Sequence, residues 1–331
     1  MQEALYFSWR KSQHHPGKCS QANKTSRVVF NYIFIYYKCI QIQIRLIMFK
    51  KILLPVDGSE TSKSIIPYCT NLAQKNDGHI TLFSVKTGDA STQQLVDSTL
   101  NELLDSGLRA DSIRVKGAAA DQIVFYAENN NYDLIAMSTQ GRNGMKRAVI
   151  GSVTEEVIRT TSLPVLTVNG SKNNSEGSIK IGKIIVPLDG SALSESALPF
   201  AISLVSSIPS NLLITNVISA TKVIAGDPIL DGLITFDETS HTVKAKKSDS
   251  AQYLSETTKR LSDDLPTIES KVMDGEPSQA IMSLAKQHTD PLVILASHGR
   301  AGLNRLVMGS VTETLMRTSN FPILVIPETP E

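Results

Sequence analysis

The chain has 331 residues, of which 41% are apolar, and a net charge of +1. That length suggests two domains with real cores, and the balanced charge excludes a global pull toward nucleic acid or membrane. Three cysteines, Cys19, Cys39 and Cys69, give neither metal-ligand spacing nor a disulfide framework, which fits a reducing, cytoplasmic setting.

Residues 1–47 differ from the rest. They hold seven Lys/Arg against one Glu, and eight of the eighteen aromatic residues. The remainder has 26 basic and 31 acidic residues, so it is mildly acidic, which argues against a DNA-binding surface. The apolar run 28–48 carries Lys38 and Arg45, a poor fit to a spanning helix, and its position does not suit a signal peptide. Residues 1–47 are expected to be an upstream extension outside the native protein, disordered or weakly structured, with Met48 as the natural start. A membrane anchor is the alternative.

From residue 50 onward the text alternates strand-like and helix-like segments. Lys51–Val56 is an apolar run ending at Asp-Gly, as in a strand buried on both faces. Residues 59–74 have helical spacing, and 79–85 form a second strand. Residues 93–106 read as a helix with Leu95, Leu100, Leu103 and Leu104 toward the core. Strand three is 112–116, followed by a helix over 121–129. Strand four is 134–138. A helix over 152–161 and a strand over 164–168 close the set. Residues 169–180 are polar with two glycines and read as a linker.

The order then repeats. KKILLPVDGS (50–59) matches GKIIVPLDGS (182–191), DLIAMS (133–138) matches PLVILA (291–296), and GSVTE recurs at 151–155 and 309–313. The offset is 132 at the first match and 158 at the last, so the second copy carries 26 extra residues. They fall near 219–250, expected to be a long excursion or lid-like loop. Strands in copy two are expected at 183–188, 211–217, 267–272, 292–296 and 322–326. The fold class is therefore α/β: two tandem open, five-stranded parallel sheets of Rossmann-like type with helices on both faces. The domains are placed at 48–169 and 182–328, with a linker over 170–181.

In an open parallel sheet, ligands bind beyond the carboxyl ends of the strands. Pro55-Val-Asp57-Gly and Pro187-Leu-Asp189-Gly lie there. The carboxylate suits a base or ribose, and equally suits a plain Asp-Gly turn. Val85 and Val217 end strand two, where backbone groups can meet an adenine edge or the side chain can simply fill the core. Ser138-Thr-Gln-Gly141, nine residues, then Gly151-Ser152 is matched by Ala296-Ser-His-Gly299, nine residues, then Gly309-Ser310. Glycines allow close backbone approach, and a helix start favours phosphate. A plainer reading is that SVTE at 152–155 and 310–313 is a capping box, with the serine satisfying the helix end. The glycine spacing after a buried strand in both copies favours phosphate. Arg142, Lys146, Arg147, Arg300 and Arg305 add positive charge nearby, or are solvated loop charge.

This glycine pattern, with the opening ILLPVDGS and the GSVTE helix start, resembles the ATP-binding branch of the universal stress proteins over nearly all of 49–168 and 182–327. The resemblance implies ATP, with or without Mg, held by Asp57, Val85, Gly141, Gly151 and Ser152 in copy one. In copy two it implies Asp189, Val217, Gly299, Gly309 and Ser310. Pro55, Ser138, Arg142 and Val153, with Pro187, Ala296, Arg300 and Val311, complete the candidate set. Both copies depart from the pattern at its first glycine, which is Ser138 in one and Ala296 in the other. A left-handed backbone there would strain either residue. The Ser138 site is favoured, because its hydroxyl can reach a ligand.

Several features are decoys. Gly177–Lys183 imitates a P-loop but is followed by Ile184 and precedes a strand. His298 faces Gln140 in the other copy, so it is no shared base, and no catalytic or metal-ligating set emerges. The expected function is ATP binding in stress response or regulation, with at most weak ATPase activity. The alternative is a scaffold of the same fold without nucleotide, used for partner binding or dimerisation. The last strands are expected to pair within the chain as a pseudo-dimer, which can dimerise again.

Overall fold

The computed structural model describes residues 49–85, 90–139, 150–169, 180–219, 236–262, 265, 267–297 and 308–328. Residues 1–47, Gly141, Arg142, Lys146, Arg147, Gly299, Arg300, Arg305 and most of the 170–181 stretch lie outside them.

The first half contributes β1 (Lys51–Pro55), β2 (His79–Val85), β3 (Arg109–Val115), β4 (Leu134–Ser138) and β5 (Val165–Val168). A 3-10 turn at Glu60–Ile65 leads into α1 (Ile66–Asn76), and α2 (Ala90–Asp105), α3 (Ala119–Asn129) and α4 (Ser152–Thr160) follow. The second half contributes β6 (Lys183–Pro187), α5 (Ala192–Glu195), α6 (Leu198–Ser207), β7 (Asn211–Ile218) and α7 (Phe236–Leu261). It ends with β8 (Ile268–Asp274), α8 (Pro277–Lys286), β9 (Pro291–Ala296), α9 (Ser310–Thr318) and β10 (Ile323–Ile326).

All ten strands form one sheet, in the order β3-β2-β1-β4-β5-β10-β9-β6-β7-β8. Within each half the strands run parallel. The halves meet where β5 and β10 pair antiparallel, with Leu166 opposite Leu324. Each last strand therefore closes the edge that the other would expose, inside one chain. β4, β5 and β10 are buried throughout, while the outermost strands β3 and β8 hold only exposed and half-buried residues. The charged residues of these outer edges, such as Arg109 and Lys271, disfavour further strand addition.

The apolar alternation fills two cores, one per sheet face, and each runs through both halves. Leu54, Leu166, Leu324 and Ile184 lie in one. Leu53, Val165, Val325 and Ile185 lie in the other. Burial is thus continuous across the β5–β10 junction.

Pro67 and Pro199, in the first turns of α1 and α6, suit positions whose N–H needs no helical partner. Of the four leucines expected inward on α2, Leu95 and Leu103 are buried and Leu100 packs partly, but Leu104 is 47% exposed. It turns outward because it follows Leu103 by one residue, a step of about 100° around the helix. Of the loop expected near 219–250, residues 220–235 lie outside the described residues, and 236–250 instead form the first part of the 26-residue α7. Its residues 244–249 are exposed, so the run is a solvated helix that needs few apolar positions.

Candidate functional site

In each half the winding of the sheet switches sides between its first and fourth strands, which run parallel, and folds of this kind take ligands beyond the carboxyl ends of those strands. β1 delivers Asp57 there. Asp57 Oδ1 accepts the Ser59 N–H (3.0 Å) and the Ser59 hydroxyl (2.6 Å). Ser59 Oγ in turn caps the following turn through the Ser62 N–H. Gly58, at φ 84°, supplies the left-handed step that the Asp-Gly turn requires. Thr92, on α2, donates its hydroxyl to the Asp57 carbonyl at 3.3 Å.

The second half builds the same turn. Asp189 Oδ1 accepts the Ser191 N–H (2.9 Å) and hydroxyl (2.6 Å), Ser191 caps α5, and Gly190 has φ 82°. The turn role weighed for both aspartates is therefore real. It uses one carboxylate oxygen of each half-buried Asp.

Pro55 and Pro187 end their strands half-buried, and Val85 and Val217 lie half-buried at the end of β2 and near the end of β7, packed on the second core. Ser138 and Ala296 end β4 and β9 and are buried. Neither is among the residues with left-handed backbone. A small residue other than glycine is accommodated there without strain.

The helix starts also differ from the capping-box alternative. The cap of α4 is Gly151 (φ −62°, ψ 138°), and that of α9 is Gly309 (φ −60°, ψ 139°), so neither has a side-chain cap. Ser152 and Ser310 are exposed first residues of the helices. Glu155 and Glu313 then fall one position too late to reciprocate, and they pair instead with Arg159 (3.8 Å) and Arg317 (3.1 Å). Val153 and Val311 pack partly against the second core. With a glycine cap, the first N–H groups of α4 and α9 have no side-chain cap, at the positive end of the helix dipole.

Two residues overlooked in the sequence join these helices to the strands. Thr154 Oγ1 donates to the Ser138 carbonyl (3.0 Å), and Thr312 Oγ1 to the Ala296 carbonyl (3.1 Å). The signal was present, since both threonines lie inside the repeated GSVTE, but the motif was read only for its serine and glutamate.

The halves diverge beside the Asp turns. Glu195, at the end of α5, accepts the Tyr253 hydroxyl (2.8 Å) and Arg260 (2.6 Å), both from α7. Burial, then the Glu195 charge, pushes the Tyr253 phenol up. Lys247 pairs with Asp274 at the end of β8 (2.6 Å). The residue equivalent to Glu195 in the first half is Lys63, so this tether to the long helix belongs to the second half.

Among the described residues no group of three or more His, Cys, Asp or Glu could hold a metal ion, and no helix is long and apolar enough to cross a membrane.

The sheet topology and the repeated Asp turns define a duplicated, open-sheet α/β protein. The sequence model of the universal stress protein family matches residues 48–169 and 180–327, and the chain belongs to that family. Universal stress protein MJ0531 of Methanocaldococcus jannaschii is 29% identical over 146 residues, covering 38% of this chain and 85% of the relative. MJ0577 of the same organism is 28% identical over 155 residues, 37% of this chain and 96% of that protein. A solved universal stress protein from Archaeoglobus fulgidus superposes with a TM-score of 0.66 at 19% identity, covering 86% of this chain and all of that one, which shows the shared fold.

Proposed function

We propose that this protein binds ATP, with or without Mg, at the crevice of each half, and that the bound nucleotide sets its state in stress response or regulation. Hydrolysis is slow or absent. Each half, 48–169 and 182–328, acts as a ligand-binding unit. Asp57 and Asp189 stand where a carboxylate meets ribose or base, and the backbone at Val85 and Val217 where it meets the adenine edge. Gly141, Gly151 and Ser152, with Gly299, Gly309 and Ser310, surround the phosphates.

The observation that carries this reading is the pair of glycine-capped helix starts beside the first-strand turn. A capping serine would have satisfied one of those N–H groups. A glycine cap leaves them for an anion, and both copies have it. The copies repeat no general base paired with a nucleophile, which sets an ATP-dependent enzyme last.

Isothermal titration of ATP into the wild type and into Gly141→Val and Gly299→Val tests the reading. The wild type is expected to bind, and each variant to lose one of two sites. ATP at about 100 times Kd should add about 2.7 kcal/mol of stability for each occupied site. Absence of co-purifying nucleotide, of ATP heat and of any ATP-induced rise in melting temperature would instead favour a partner-binding scaffold.

A further inference from the structure

We infer that Thr154 and Thr312 are positioning residues for the phosphate end of the nucleotide, an inference that rests on the function proposed above. In each half the segment between fourth strand and helix is fastened at its base by three bonds. In the first half the Thr139 N–H donates to the Val168 carbonyl (2.8 Å) and its carbonyl accepts the Gly151 N–H (2.7 Å). The Thr154 hydroxyl reaches the Ser138 carbonyl at 3.0 Å. In the second half the Ser297 N–H donates to the Ile326 carbonyl (2.8 Å), and its carbonyl accepts the Gly309 N–H (2.8 Å). The Thr312 hydroxyl reaches the Ala296 carbonyl at 3.1 Å.

The arrangement survives although the residue supplying the carbonyl has changed from serine to alanine and the next from threonine to serine. The threonines themselves are 3% exposed in both halves. They are the third residues of α4 and α9, so their backbone belongs to the same first turn as the candidate phosphate donors. Their side chains point back into the protein and tie that turn to the strand end. The adjacent glycine leaves little slack: a Cβ on Gly151 would lie 3.3 Å from the Thr139 carbonyl oxygen.

Holding the helix start at a fixed distance from the strand end fixes the N–H donors before a ligand arrives. Binding then pays no ordering cost there. Removing the hydroxyl deletes the bond that ties the turn to the strand end. The loss is expected to fall on contacts to phosphate, because adenine and ribose are assigned to β1, β2 and their counterparts.

The test compares ATP with adenosine. Thr154→Val and Thr312→Val keep the shape of the side chain and delete its hydroxyl, while Thr154→Ser and Thr312→Ser restore the donor. Titrations are made with full-length protein whose circular dichroism matches the wild type. Each valine variant is expected to weaken ATP at one site by about tenfold, or about 1.4 kcal/mol. Adenosine affinity should change less than about twofold, and the serine variants should return ATP affinity to near the wild-type value. Equal losses for ATP and adenosine would reveal a general structural role and overturn the inference. So would unchanged ATP affinity in the valine variants of a protein that binds ATP. A wild type that binds no ATP would overturn the proposed function itself, and this inference with it.

Discussion

Asp133 gives the first half a pH response that the matching position of the second half does not repeat. It stands just before β4, and its carboxylate accepts the Lys50 N–H (2.8 Å) and the Lys51 N–H (3.1 and 3.2 Å), where the chain enters β1. Burial pushes its pKa up from 3.8 to about 6, against the backbone bonds and the Lys50 charge that lower it. The folded chain therefore keeps a proton over a range in which the unfolded chain has already lost it. The stability that this provides is complete below about pH 4 and is lost as pH rises through about 6. A gap of roughly two units corresponds to about 3 kcal/mol. Asp133→Asn removes the titration, while other ionisable groups stay common to both proteins. The stability of the wild type relative to this variant should fall by up to about 3 kcal/mol from pH 4 to pH 7. Urea unfolding of both proteins at pH 4, 5, 6 and 7 measures it. A difference that is flat across that range, or that rises with pH, refutes the reasoning. The equivalent position in the second half is Pro291, and there the Gly182 N–H bonds to the backbone carbonyl of Asp290 instead of to a carboxylate (3.0 Å).

Two further outcomes follow from burial. Leu324, 1% exposed in the strand that joins the halves, should cost about 2–5 kcal/mol when changed to alanine. Because its core runs through both halves, hydrogen exchange should show loosening on both sides of the junction, and loosening confined to 180–328 would contradict a shared core. Cys69 is fully buried, and burial pushes its thiol well above the usual range. Iodoacetamide at pH 8 should leave it unmodified in folded protein and label it on denaturation, as peptide mapping would show. Rapid labelling under native conditions would mean that α1 opens readily.

Much of the fold was legible because buried parallel strands write themselves in apolar runs. The bounds of β2 and β4 agree with those read from sequence. β3 starts three residues before the sequence places it and ends one residue sooner, since Arg109 and Asp111 carry the charges of an outer strand and interrupt the apolar signal. The beginning of α7 was missed for a related reason: a helix held mainly by its later turns and by Lys247, Tyr253 and Arg260 shows little apolar periodicity at its start.

The site was legible in position but not in detail, and the duplication explains which details were lost. A repeated motif says that two copies share a constraint without saying which atoms bear it. GSVTE satisfies the spacing of a capping box when its serine is the cap, and loses that reciprocity when the cap shifts one residue to glycine. Only backbone geometry separates the two registers, and both copies adopt the second. That shift moves serine from capping the helix to exposure in its first turn. It also moves threonine to the place where its hydroxyl meets the strand end. The same five residues thus acquire a different division of labour. Glycine caps the helix, serine is exposed in its first turn, threonine ties that turn to the strand end, and glutamate pairs along the helix with an arginine. Sites that change between copies without disturbing this division, such as Ser138 against Ala296, are those where the main chain rather than the side chain carries the contact.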